Sequence, residues 1–181
     1  MNQKLRWFQS DNSAAVFFMM SAAVWLVLGV TMGLFLALEF VFPDLFAGIP
    51  YLVFGRLRQA HTNTVMFAWL SPGMMGIWFY MVPRLAGRKL WSEPLGNLSA
   101  LLWNLALAVG VSQLLRGVTQ SREYAELVWW VDVAVMVVLI LNVLNFYITI
   151  MNRVDKSMYV SLWYITATTC WGSGSLPACW R

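Results

Sequence analysis

The feature that most limits this chain is the length of its uninterrupted apolar runs. From about Ala14 to Phe42 the only charged side chain is Glu39, and Pro43 ends the run. Similar runs cover about Gln59 to Val82, closed by Pro83, then about Leu95 to Leu115 and about Leu127 to Met151. Each reaches the ~20 residues that a helix needs to cross bilayer hydrocarbon. There, only backbone with its own internal hydrogen bonds is tolerated. A fifth run, from near Met158 to Trp171, is roughly 14 residues long and too short to cross as a regular helix. These runs predict an all-α integral membrane bundle of four transmembrane helices plus an incomplete fifth.

Composition agrees. The chain is 60% hydrophobic and 11% charged, where a soluble domain carries about 25% charged residues. Its 11 tryptophans suit interfacial belts and its 11 methionines suit irregular gaps between helices. The net charge of +4 lies in loops between apolar runs and forms no phosphate-tracking patch, so nucleic acid is excluded as a partner and membrane lipid is expected. Cys170 and Cys179 are not spaced as CxxC and have no histidine neighbour. Neither a zinc site nor covalent haem attachment is indicated. "MNQKLRWFQSDNSAAVFF" reads as the start of a retained span, because the run behind it is too long for a signal core.

Basic residues give the direction. Lys4, Arg6, Arg84, Arg88, Lys89, Arg153 and Lys156 share one side; Arg56, Arg58, Arg116 and Arg122 share the other. The richer side should be cytoplasmic, which predicts a cytoplasmic N-terminus.

The single histidine, His61, stands in "GRLRQAHTNTVMF", in the first turn or so of the second span. Arg58 is three residues earlier and shares its helical face. A neutral imidazole there can ligate haem iron, and an arginine fork can pair with haem propionates. The plainer alternative is a polar residue at a span end, with arginines reaching to head groups. The second loop on that side, "GVTQSREYAELVWWVD", holds Arg122, Glu123, Glu126 and Asp132, the densest charge in the chain. Glu123 can bind a cation or hydrogen-bond to cofactor edges near the outer surface; the alternative is a solvated loop with Glu126 starting the next helix. Trp129 and Trp130 read as interfacial belt. Within the spans, Glu39, Asn104, Gln113, Asp132, Asn142 and Asn145 should face the bundle interior, mainly as helix-to-helix hydrogen bonds.

"GRLRQAHTNTVMFAW", "FYMVPRL" and "TQSREYAELVWWVD" together resemble the N-terminal part of subunit I of cbb3-type cytochrome c oxidases, the C-type haem–copper oxidases. The resemblance is ordered along the chain over roughly residues 14 to 169. It implies a bacterial inner-membrane subunit that holds low-spin haem b, haem b3, copper and calcium. Such a subunit accepts electrons through c-type cytochrome subunits, reduces oxygen to water and pumps protons. His61 matches the family's first low-spin haem ligand, Arg58 an arginine beside the haem propionates, and Glu123 an acidic residue at the calcium site. With one histidine the chain holds no catalytic binuclear-centre ligand of its own. The sequence departs from the family in having Gln59 and Ala60 where a proline leads to the histidine. It also breaks from apolar to "GSGSLPACWR" after Trp171, which divides it into a partial oxidase domain, 1–171, and an atypical tail, 172–181. The break is read as a truncation or frame change. Three alternatives remain at this level: part of a nitric oxide reductase large subunit, a small non-enzymatic membrane bundle, and a small b-type cytochrome whose missing ligand comes from a second copy. The second would leave His61 in lipid rather than facing the bundle.

Overall fold

The computed structural model describes residues 10–120, 122, 125–154 and 158–173. All regular structure among them is helical. The helices are α1 (Ser13–Val41), α2 (Phe54–Leu85), α3 (Glu93–Leu115), α4 (Trp129–Met151) and α5 (Val160–Ser173). The first four are long and apolar enough to cross a membrane.

Two boundaries differ from the expectation. α2 starts at Phe54 rather than near Gln59, with Val53 extended as its N-cap and its carbonyl accepting from Arg56 and Leu57. His61 therefore lies two turns inside the helix. α2 also runs through Pro83 to Leu85. A proline so near the end removes one hydrogen bond where the ladder is about to stop.

The core is a chain of aromatic contacts across three helices. Phe18 of α1 stacks on Phe79 of α2 with centroids 5.2 Å apart, and Phe79 meets Phe146 of α4 at 4.5 Å. Gly76 lets α1 and α2 touch: a Cβ there would stand 2.7 Å from Met19 Cγ and 3.2 Å from the Ala15 carbonyl. Small residues at such crossings are the usual means of bringing membrane helices together.

The bundle has two distinct ends. At the basic end, the Glu93 carboxylate accepts from the Asn12 and Ala14 amides at 2.9 and 3.1 Å and from the Ser13 hydroxyl at 3.2 Å. An anion thus caps the positive end of α1. Ser92 caps α3 through the Leu95 amide, and Pro94 sits in the first turn, where no N–H is needed. Asn145 of α4 accepts from the Ser92 amide at 3.2 Å and donates to the Ser92 carbonyl at 2.9 Å. The Val154 amide donates to Ala86, and Arg88 donates to the Asn152 carbonyl. Arg84 lies over the Tyr80 ring, 3.5 Å from its centroid. Lys89 pairs with Asp11 at 2.8 Å, and this hydrogen bond and charge raise the Lys89 ammonium above its ordinary value near 10.5. The opposite end carries His61, Arg56, Arg58 and the loop before α4.

Candidate functional site

α2 is not a uniform helix. Between two α-helical parts, Phe54–Asn63 and Ser71–Leu85, residues Thr64–Leu70 form a π-helix. Pro72 supplies the local reason. Having no N–H, it cannot bond backwards, and its ring crowds the carbonyl one turn earlier. The wider turn resolves this. The Ser71 amide reaches back five residues to the Met66 carbonyl, and the Ser71 hydroxyl donates to the same oxygen at 2.8 Å. That leaves the Phe67 carbonyl without its α-helical donor at Ser71 and without a donor at Pro72. The indole N–H of Trp103, on α3, fills the gap at 2.9 Å. Trp103 is buried, so this bond locks α2 to α3 in a dry place. Single π turns inside α-helices are frequent at functional sites.

His61 lies one turn before the π segment and faces α1, not lipid. Its Nδ1 is 2.9 Å from the Gly29 carbonyl. A carbonyl only accepts, so Nδ1 carries a proton, and in the neutral ring Nε2 keeps its lone pair. The ring approaches so closely because α1 offers Gly29 and Gly33, four residues apart. A Cβ on Gly33 would stand 2.9 Å from His61 Cε1; one on Gly29 would meet Val65 and Thr64 instead. Histidines that bind metals through one nitrogen commonly donate the other N–H to a backbone carbonyl or carboxylate, which fixes tautomer and orientation. The donor set thus fits an iron ligand at Nε2. Arg58 is exposed at the outer turn of the same helix, and no ion pair to it occurs among the described residues. Its guanidinium is available for an anionic group. Arg56 instead donates to the Pro50 carbonyl and lies across Gly117, tying together the two loops at this end.

The loop before α4 is stitched to α2 next to the histidine. Asn63 donates to the Glu126 carboxylate at 2.7 Å, and both side chains are buried. The Glu126 backbone carbonyl accepts from Thr119 Oγ1 and the Gln120 amide. Gln120 Nε2 donates to Asp132 at 2.9 Å and also to the Leu127 carbonyl. Glu126 therefore does not start α4. It sits three residues before it, turned inward. Glu123 lies outside the described residues. Trp129 and Trp130 open α4 and are exposed, as belt residues are. Asn142 donates to Met75 sulphur on α2, and Asn104 accepts from the Trp25 indole at 2.7 Å, so both join helices as the spacing suggested. Glu39 Oε2 and Gln113 Oε1 are buried oxygens without a hydrogen-bond partner among the described residues.

Two contacts at this site escaped the sequence reading. The Gly29–Gly33 pair was visible as a G-x-x-x-G in an apolar span, a helix-packing signal. The Asn63–Glu126 bond joins residues 63 positions apart and left no local trace.

This fold defines a polytopic helical membrane protein whose second span carries a histidine turned toward its neighbour. Residues 13–179 match the family described as "Cytochrome C and Quinol oxidase polypeptide I", and the chain belongs to it. It is 32% identical over 150 residues to "Cbb3-type cytochrome c oxidase subunit CcoN1" of Stutzerimonas stutzeri, a match covering 83% of this chain and 32% of that protein. It is 34% identical over 145 residues to "Cytochrome c oxidase subunit 1 homolog" of Agrobacterium tumefaciens (strain T37), covering 80% of this chain and 27% of the relative. A Rhodobacter capsulatus "Cytochrome c oxidase subunit 1" is 33% identical over 143 residues, covering 77% and 27%. The chain thus spans about a third or less of the length of these relatives. Four apolar spans and these relatives fit a multi-pass protein of the bacterial inner membrane.

Proposed function

We propose that this chain supplies one axial ligand, His61 Nε2, to a low-spin haem b in the subunit I part of a cbb3-type terminal oxidase. The observation that carries the reading is the 2.9 Å contact from His61 Nδ1 to the Gly29 carbonyl. In the neutral ring it makes Nε2 the nitrogen with the free lone pair, and it gives the ring a fixed attachment on α1. The sign of a small cofactor-free bundle would be an imidazole lying in lipid, and here the ring is turned to α1.

The haem, when bound, supplies reversible one-electron chemistry at its iron. The chain's own residues would do the rest. His61 holds the iron side, and Arg58 neutralises a propionate at the outer turn of α2. In this reading Glu123 contributes to a calcium site and the N-terminus faces the cytoplasm. The complete oxidase would receive electrons from c-type cytochrome subunits and reduce oxygen to water. The second haem ligand, the haem b3 ligand and the copper ligands come from outside these residues, because the chain has a single histidine.

His61→Ala, placed with this segment in a full-length subunit I, should abolish the low-spin haem signature in the reduced-minus-oxidised spectrum. An unchanged spectrum would sink the assignment.

A further inference from the structure

His61 takes its support from α1 as well as from its own helix. The Gly29 carbonyl accepts the Nδ1 proton. In an α-helix the N–H of residue i+4 points at that same carbonyl, so Gly33 stands where the ring must come in. The Nδ1–Cε1–Nε2 edge lies over Gly33: a Cβ there would be 2.9 Å from Cε1, 3.4 Å from Nδ1 and 3.5 Å from Nε2. The first of these is closer than a Cβ can approach a ring atom, so an alanine would push the imidazole away. Its methyl would also stand beside Nε2, the nitrogen left free.

We infer that Gly33 is a positioning residue for His61: its missing side chain admits the imidazole edge, so that Gly29 can hold the Nδ1 proton and keep Nε2 bare for iron. The iron clause rests on the haem reading above; the ring placement does not. Gly73 provides the internal control. A Cβ at Gly73, on α2, would meet Ala22 Cβ of α1 at 3.8 Å, an ordinary contact, and no ring atom. Gly73→Ala therefore adds a methyl between the same pair of helices without touching the ring or the Gly29 carbonyl.

The chain's single histidine makes the test direct. With ¹⁵N-histidine labelling of the whole chain in phospholipid nanodiscs, all ring-nitrogen signals belong to His61. Wild type should show Nδ1 protonated and Nε2 bare. Gly33→Ala should show mixed tautomers, whereas Gly73→Ala should keep the wild-type pattern. Titration with iron protoporphyrin IX, with imidazole added as the missing sixth ligand, gives a second readout. Gly33→Ala should bind about tenfold or more weakly, the range seen when an outer partner of a metal ligand is lost, and Gly73→Ala should bind within a fewfold of wild type. A wild-type ring protonated at Nε2 overturns the inference. So does a Gly33→Ala chain with the wild-type tautomer and affinity, or a Gly73→Ala chain as impaired as Gly33→Ala. If Gly33→Ala does not fold, ¹³C-glycine to ¹⁵N-histidine dipolar coupling in the wild-type chain decides. A glycine carbon close to the ring supports the placement, and its absence overturns it. A wild-type chain with the expected tautomer but no haem binding keeps Gly33 in its role and removes the haem reading instead.

Discussion

Asn145 and His61 are both polar side chains in membrane spans, yet they are used in opposite ways. Asn145 is fully buried and places both ends of its amide on one backbone unit, donating to the Ser92 carbonyl and accepting from the Ser92 amide. His61 gives one nitrogen to Gly29 and keeps the other. At the basic end, Asn145 and the Glu93 carboxylate hold chain segments to each other. At the histidine end, the attachment orients a group with capacity left over. A polar residue matched completely by its neighbours closes a fold, and one matched by half leaves something for a ligand.

The comparison can be broken most directly by substituting its two poles. Asn145→Leu leaves the Ser92 N–H without its acceptor, while the Ser92 carbonyl keeps the Gly96 amide, and should cost about 2 kcal/mol in equilibrium unfolding in mixed micelles. His61→Ala removes one hydrogen bond to a carbonyl that is already bonded within α1, and should cost about 1 kcal/mol or less. In the full-length subunit the order reverses. Haem absorbance should survive Asn145→Leu and vanish with His61→Ala, so haem loss from Asn145→Leu with wild-type stability would collapse the distinction.

Glu93→Gln comes next in size. It keeps an acceptor at the start of α1 but removes the anion facing the helix dipole, and should lower stability by about 1 kcal/mol. The same unfolding titration checks it, and the haem spectrum should not move.

Arg58→Leu should act only at the histidine end. Removing a cation near the haem favours the more positive, oxidised iron, so the midpoint potential should fall. A redox titration with no downward shift counts against Arg58 as the propionate partner.

The smallest effect belongs to Lys89 and Asp11. Partnership with Asp11 raises the Lys89 ammonium above its unfolded value near 10.5. Its contribution is therefore complete below that value and is lost as pH rises through the folded one. Both groups are largely exposed, so the effect is slight and salt should erase it. Lys89→Gln should flatten only the alkaline limb of a stability-versus-pH curve.

Much of the fold was legible because bilayer thickness sets helix length. The four spans, the belt tryptophans and the interior asparagines followed from apolar length and the cost of unpaired polar groups. The histidine was legible as a ligand candidate because it stands alone beside an arginine. The start of α2 is obscured, since "YLVFGRLRQ" mixes apolar and basic residues and Val53 caps without a side-chain signal. Pro83 reads as a stop because proline usually ends a helix, yet so close to the terminus it interrupts little. Glu126 reads, in the plainer alternative, as a helix start, although its partner Asn63 turns it into the bundle, and no spacing rule links residues that far apart. The π segment was also invisible in advance. Pro72 marks a disturbance, but only the Trp103 indole on another helix shows how the freed carbonyl is satisfied.

The π segment also has a consequence for rotation. It carries more residues per turn than the helix on either side, so it acts as a phase shifter in α2. The face that bears His61 and the face that bears Phe79 are set independently, and a helical wheel drawn at constant pitch misaligns them. Winding the same residues, Thr64–Leu70, as ordinary α-helix would turn the two halves relative to each other by about 100°, one residue's worth. With Phe79 held in its aromatic stack, that rotation would swing His61 off Gly33. The span would keep its length and hydropathy while losing the aim of its only imidazole.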